Sequence, residues 1–379
     1  MPEPVYLDYA ATTPLRPEVR EAMLGVLGER WGNPSSVHRW GREARAVLDD
    51  ARARMAAVIG ASPAEIVFTR GGTEADNLAV LGRARADGSR AVACSAIEHK
   101  AVLASAGALA ADGWAVRIIP VDGAGLVDLD ALRGMVDADR PAVVSVMWAN
   151  NEVGAIQPVA GIAAICAAAG TAFHTDAVQA LGKVAVRVDR VPVDLAAFSA
   201  HKLGGPRGTG ALFVRRGTRL DPLLHGGGQE RGLRSGTEDV AGAVGLALAA
   251  ELAEEERETE MARLAALRDR LEAALCERVP GLRINAEGAP RVPHISNVSA
   301  PGADAEMLLV ALDLEGIAAS SGSACSSGAV EPSHVLTAMG LPADVAGPSV
   351  RFSLSRDTTD ADIDRAIEVF PKVVARLRG

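Results

Sequence analysis

Four segments of this 379-residue sequence carry residues whose type and setting could do chemistry. The first is an apolar run ending in Ser199-Ala-His201-Lys202 and opening into Leu-Gly-Gly-Pro-Arg-Gly. A lysine at the end of a buried strand is partly desolvated, which lowers its pKa and favours Schiff-base chemistry. A surface lysine beside a turn is the competing reading. The second is Ile66-Val-Phe-Thr-Arg-Gly71-Gly72-Thr73, read as strand, glycine turn and helix start. Glycines let backbone approach an anion, and a new helix offers unpaired N–H groups. No Gly-Lys-Ser/Thr follows, so it is not a nucleotide P-loop, and a plain strand-to-helix turn stays open as well.

The third is Phe173-His-Thr-Asp176-Ala-Val-Gln179. An aspartate at the C-terminal end of a strand faces the crevice where α/β folds bind ligands. It could keep a pyridine nitrogen protonated and so make the ring an electron sink, or it could simply cap a short helix. Gln179, one helical turn on, could reach a ring hydroxyl. The fourth is Cys325, set among serines and glycines from Ser320 to Gly328. That composition suits an exposed, mobile loop carrying a thiol; an incidental cysteine in a serine-rich turn is the alternative. Together the four describe one cofactor site: anion cup, ring-nitrogen partner, Schiff-base lysine and mobile thiol.

The elements that must position these residues are readable from hydrophobic periodicity. Strand candidates lie at 65–69, 91–95, 115–120, 142–148, 171–176, 194–199 and 210–215. Several lack polar alternation, as expected of strands covered on both faces. Helical patterns such as 73–86 and 159–169 lie between them, which predicts an open, largely parallel α/β sheet. From 240 to 279 a long helical segment, broken or continuous, carries an acidic run at 251–260 and leucines 264, 267, 271 and 275 at helical spacing. The acidic run reads as a solvated face. This segment would join the sheet domain to a smaller α+β domain, giving the divisions 1–15, 16–255 and 256–379.

Composition narrows the classes. Hydrophobic residues at 49% and charged ones at 23% are ordinary globular values, which excludes wholesale disorder. A net charge of −9 argues against a duplex nucleic-acid binder. Four cysteines are too few for a disulfide scaffold and fit a reducing compartment. Cys94, Cys166 and Cys276 read as buried small hydrophobes. The apolar stretches 159–169 and 240–250 are shorter than a bilayer needs, and the first residues lack a signal-peptide pattern. The expectation is a soluble, cytoplasmic protein. The seven histidines show no metal-ligand spacing, so no metal is expected.

At the level of motifs the chain resembles a cysteine desulfurase, a pyridoxal-phosphate enzyme of the class V aminotransferases with fold type I architecture. The resemblance runs nearly end to end. It includes Tyr6-Leu-Asp-Tyr-Ala-Ala-Thr-Thr-Pro14, Gly32-Asn-Pro-Ser-Ser-Val-His38, Glu98-His-Lys-Ala101 and Asn150-Asn-Glu-Val-Gly154. It continues through the Asp176 and Lys202 segments, Gly226-Gly-Gly-Gln-Glu230, Arg234-Ser-Gly-Thr237, the Cys325 segment and Val350-Arg-Phe-Ser353. The Cys325 segment resembles the branch that supplies sulfur for iron–sulfur cluster assembly and tRNA thiolation.

The resemblance implies a large domain with a mostly parallel seven-stranded sheet, a smaller C-terminal domain, and a homodimer. Lys202 would hold pyridoxal 5'-phosphate as a Schiff base and then move the substrate's α-proton. Asp176 would pair with the ring nitrogen, Gln179 with the phenolic oxygen, and His99 would stack on the ring and assist proton transfer. Gly72, Thr73, Ser199 and His201 would hold the phosphate, completed by Thr237 of the partner subunit. Asn151, beside the cofactor, and Arg351 would bind the substrate carboxylate, a task suited to a guanidinium fork. Cys325 would take the sulfur of L-cysteine as a persulfide and pass it to an acceptor protein, leaving L-alanine.

Three positions depart from the family's pattern: Tyr9 where asparagine is common, Gly204 where an aromatic residue is frequent, and Arg207 in place of a lysine. Gly204 is expected to loosen packing beside Lys202. A selenocysteine lyase or another class V aminotransferase is the nearest alternative, and a non-catalytic scaffold on this fold is the alternative of another class. Transamination needs no mobile thiol, so the Cys325 segment favours desulfuration.

Overall fold

The computed structural model describes residues 4–321 and 332–379. After a two-residue strand, β1 (Val5–Tyr6), seven strands build the central sheet. They are β2 (Ile66–Thr69), β3 (Ala91–Ser95), β4 (Ala115–Ile119), β5 (Val143–Ser145), β6 (Ala172–Asp176), β7 (Leu195–Ser199) and β8 (Gly210–Val214), in the order β2-β8-β7-β6-β5-β3-β4. Every expected strand is present, and the one over 142–148 is shorter, at Val143–Ser145. The ladders from β7 to β4 are parallel, while β8 runs antiparallel to both of its neighbours. All residues of β2, β3 and β5 to β8 are buried. A strand covered on both faces has no polar side to alternate with, which is why these read as continuous apolar runs.

Because β8 reverses, β2 points the same way as β3, β5, β6 and β7. Their C-terminal ends therefore open on one edge of the sheet. Thr69 and Ser199 both pair with Gly210, which sets the glycine turn after β2 beside the end of β7.

The helix expected over 159–169 spans Val159–Ala169 and stops at Gly170 in the left-handed region. The one expected over 73–86 is α-helical at Gly72–Asn77 and Arg83–Ala86, with a wider π-type turn at Leu78–Gly82 between them. Helix Arg39–Ile59 covers the sheet and packs against the long helix Val240–Arg278.

Helix Val240–Arg278 is a single uninterrupted element. Its first part, through Ala253, belongs to the apolar core around the sheet. Leu264, Leu267, Leu271 and Leu275 belong to a second core. That second core lies under β9 (Arg283–Ile284), β10 (Ile295–Ser299) and β12 (Ser349–Ser353), an antiparallel sheet ordered β12-β10-β9. The N-terminal strand β1 pairs in parallel with β11 (Ile317–Ala318), and Val5 and Leu7 join the second core.

The acidic run at 251–260 is more than a solvated face. Glu251 is paired with Arg54, Glu254 with Arg257, Glu256 with Arg16 and Glu260 with Arg263. Arginine partners from elsewhere in the chain cannot be read from the run itself.

Candidate active site

The strand ends deliver the expected residues to one pocket of about 510 Å³, lined among others by Gly72, Thr73, His99, Asn151, Asp176, Gln179, Ser199, His201, Lys202 and Arg351. Asp176 is the last residue of β6, Ser199 the last of β7, and Lys202 ends a 3-10 turn at Ala200–Lys202. Gly72 opens its helix with no room for a side chain, since a Cβ there would lie 2.9 Å from Val178 Cγ2 in the turn after Asp176. The anion cup and the aspartate turn are thus packed directly on each other. His99 caps helix Lys100–Ala111, with Nδ1 accepting from the Ala101 N–H at 3.1 Å, so its ring orientation is fixed.

The Lys202 amine donates to two main-chain carbonyls of the N-terminal segment, Ala10 and Ala11, each at 2.6 Å. Burial pushes its pKa down to about 8, with the Arg351 charge acting in the same direction. A fraction of the amine is therefore uncharged near neutrality, as a nucleophilic lysine requires. Asp176 accepts from the Val178 N–H at 2.9 Å through Oδ1. Burial raises its pKa, against the charges of His99 and Lys202 and that hydrogen bond. A cation brought to its carboxylate would relieve that desolvation.

Desolvation lowers the pKa of His99 and takes His201 down to about 4. His201 Nδ1 sits 3.1 Å from Thr12 Oγ1. Gln179 donates from Nε2 to the Ala10 carbonyl at 2.9 Å, and its Oε1 lies 3.4 Å from His294 Nε2. The N-terminal segment thus touches both Lys202 and Gln179.

Several placements differ from expectation. The Arg351 fork is not open: Nη1 donates to the Asn151 carbonyl at 2.8 Å and Nη2 to Asp8 Oδ1 at 2.7 Å. A substrate carboxylate would have to compete with Asp8 or use Nε, which has no hydrogen-bond partner among the described residues. Gly204 is close-packed rather than loose. It has φ +80, and a Cβ there would lie 2.4 Å from Arg16 Cγ. Arg16 holds Glu256 bidentately at 3.0 and 2.9 Å. Cys94 and Cys166 are buried as expected, with pKa values pushed up to about 12 by desolvation, whereas Cys276 is exposed. Thr237 is exposed and is not among the pocket-lining residues of its own chain. Cys325 lies outside the described residues.

Sequence reasoning missed Asp8, Asp76 and Glu98. Asp8 sits inside the Tyr6–Pro14 motif, and Asp76 lies one helical turn beyond Gly72 and Thr73 on the pocket wall. The i, i+4 spacing from Gly72 could have flagged Asp76. No local pattern marks Glu98, whose neighbour His99 drew the assignment.

A family model described as Aminotransferase class-V matches residues 5–366 of the chain. A cysteine desulfurase of Gluconacetobacter diazotrophicus is 47% identical over 377 residues, covering 99% of this chain and 94% of its own length. A cysteine desulfurase IscS of Dictyoglomus turgidum is 44% identical over 380 residues, covering 100% of this chain and 96% of its own length. Among solved structures, a NifS-like protein matches with a TM-score of 0.91 and 38% identity, covering 99% of this chain and 100% of its own. With strand ends converging on a lysine, an aspartate and a glycine cup, and with similarity over its whole length, the chain belongs to the class-V aminotransferase family and, within it, to the cysteine desulfurases.

Proposed function

We propose that this enzyme takes sulfur from L-cysteine onto Cys325 as a persulfide, releases L-alanine, and uses pyridoxal 5'-phosphate as its cofactor. The observation that carries the reading is the half-buried Lys202 amine sharing one pocket with the Asp176 carboxylate and the Gly72 turn. The residues present fit that cofactor. Burial disfavours the Asp176 carboxylate, which a pyridinium-type cation would stabilise, and a side chain at Gly72 would crowd Val178. When bound, the cofactor supplies a ring that stores the electron pair left at the substrate α-carbon.

The chain's own groups do the rest. Lys202, with its pKa brought to about 8, accepts and returns the α-proton. Asp176 would keep the ring nitrogen protonated, Gln179 would reach the ring hydroxyl, and His99 would lie against the ring. Gly72, Thr73, Ser199 and His201 would hold the phosphate, with Thr237 of the partner subunit. Asn151 and Arg351 orient the substrate carboxylate. Cys325 attacks the substrate sulfur. Cysteine plus a thiol gives alanine plus a persulfide, so the atoms and electrons balance without an external oxidant or reductant.

The acceptor we assign is an iron–sulfur scaffold or a tRNA-thiolation protein, reached by a homodimer in the cytoplasm. Of the divisions 1–15, 16–255 and 256–379, the boundary near 255 is supported by the passage of helix Val240–Arg278 from one apolar core to the other. Among the described residues no helix is long and apolar enough to cross a membrane.

Mass spectrometry of Cys325 after turnover of L-cysteine tests the reading. The expected result is a sulfur adduct on Cys325, absent in Cys325→Ser although that variant keeps the yellow cofactor absorbance. Undiminished sulfur release by Cys325→Ser would sink the assignment in favour of another class V activity. A colourless protein that added pyridoxal phosphate cannot restore would favour a scaffold.

A further inference from the structure

Behind Asp176 lies a buried polar chain that the proposed reaction does not use. His174 precedes Asp176 by two residues on β6, so both side chains project from the same face of the sheet. Ser145 on β5 is its register partner, and His174 Nδ1 lies 2.8 Å from Ser145 Oγ. On the other side, His174 Nε2 faces Asp76 Oδ1 at 3.6 Å, and neither atom has a hydrogen-bond partner among the described residues. Beyond Ser145 lies Glu98, whose Oε1 accepts from Ser95 Oγ at 2.5 Å and from the Met147 N–H at 2.8 Å. Acceptor atoms of Asp76, His99 and Asp176 lie within 4.8 Å of one another.

Three carboxylates therefore share one dry region: Asp76, Glu98 and Asp176. Carboxylates this close and this buried do not all ionise. Hydrogen bonds set Asp76 apart from the other two. Asp176 and Glu98 each accept backbone N–H bonds, at 2.9 and 2.8 Å. Asp76 Oδ1 has only the ring nitrogen of His174 before it. His174 supplies no compensating cation, because complete burial takes its pKa down to about 3. Desolvation, then the charges of Asp176 and Glu98, raise that of Asp76 well above the usual carboxylate range.

We infer that Asp76 is a positioning residue held as the neutral acid. Its Oδ1–H points at Nε2 of a neutral His174, whose Nδ1–H donates to Ser145, so that Asp176 is the anion presented to the cofactor's ring nitrogen. The order of donors is then fixed along the chain: Asp76 to His174, and His174 to Ser145. An ionised Asp76 would demand the opposite tautomer, with the proton on Nε2. This deepens the cofactor site proposed above and rests on that reading for its purpose, though not for its geometry.

The experiment is ¹⁵N NMR of the His174 imidazole in the full-length, cofactor-free protein, with Asp76→Asn and Asp76→Leu beside it. The expected wild-type spectrum is a neutral ring protonated at Nδ1 and hydrogen-bonded at Nε2. Asn, a neutral donor of the same shape, should preserve both features and the affinity for added pyridoxal phosphate. Leu, which cannot donate, should shift the Nε2 resonance and weaken cofactor binding about tenfold, the order expected when a buried acceptor is left without a donor. A proton on Nε2, an imidazolium, or equal losses of affinity in the two variants would overturn the inference. Failure of the wild-type protein to take up pyridoxal phosphate would instead overturn the proposed function, leaving the tautomer result standing.

Discussion

Arg351 donates through Nη2 to Asp8 Oδ1 at 2.7 Å, across 343 positions of sequence. The guanidinium proposed to receive the substrate carboxylate is thus already partnered by an acid from the N-terminal segment. An ion pair with one part-exposed partner is worth roughly 1 kcal/mol net, because desolvation and solvent screening offset most of the Coulomb attraction. Asp8→Asn should therefore lower KM for L-cysteine by about threefold to tenfold, whereas Arg351→Lys, which loses the planar fork, should raise it about tenfold or more. Steady-state kinetics of both variants checks this; a raised KM in Asp8→Asn would mean the carboxylate positions the fork rather than competing for it.

Lys202 should leave a signature in the stability of the cofactor-free protein. Its pKa falls from the ordinary 10.5 to about 8 on folding, chiefly through burial. Between those values the unfolded chain binds the extra proton, so stability rises with pH through that window, and the deficit is complete below 8. Lys202→Met removes this contribution. Its unfolding free energy, measured by denaturant at several pH values, should gain less from pH 8 to 10.5, by at most about 1.4 kcal/mol per unit. Lys183, also lowered to about 8 by burial, is present in both proteins and cancels in the difference.

Glu98 should act with the opposite slope. Burial pushes its pKa up to about 8 from 4.5, helped by the Asp176 charge and opposed by hydrogen bonds from Ser95 and Met147. The folded protein keeps this proton while the unfolded chain has lost it, so stability is fully present below 4.5 and declines as pH rises to 8. Glu98→Gln should flatten that decline by up to about 1.4 kcal/mol per unit. A parallel loss of stability in both proteins across this range would refute the assignment.

Gly204 should tolerate no side chain. Its φ of +80 and the 2.4 Å approach of Arg16 Cγ to a built Cβ combine backbone strain with a clash. Gly204→Ala is expected to cost about 1–3 kcal/mol of unfolding free energy. In an Arg16→Ala background the clash disappears, so the same change should cost less, and a double-mutant cycle gives the coupling. Additive losses would show that the backbone conformation alone matters.

The sequence by itself determined which strands end in chemistry. The apolar runs closing on Asp176, Ser199 and Lys202, and the glycine turn before Thr73, are local patterns of strand and turn, legible because burial on both faces erases alternation and glycine marks a close approach. Only the tertiary structure decided the rest. The antiparallel β8 is as apolar as its parallel neighbours, so no residue pattern announces its direction, yet that reversal brings Gly72 beside Ser199. Asp8 on Arg351, the Ala10 and Ala11 carbonyls on Lys202, and Asp76 facing His174 join segments roughly a hundred to more than three hundred residues apart. Such partners are chosen by where the sheet's crossovers return the chain, and a charge or lone pair in a local segment carries no record of what will be folded against it.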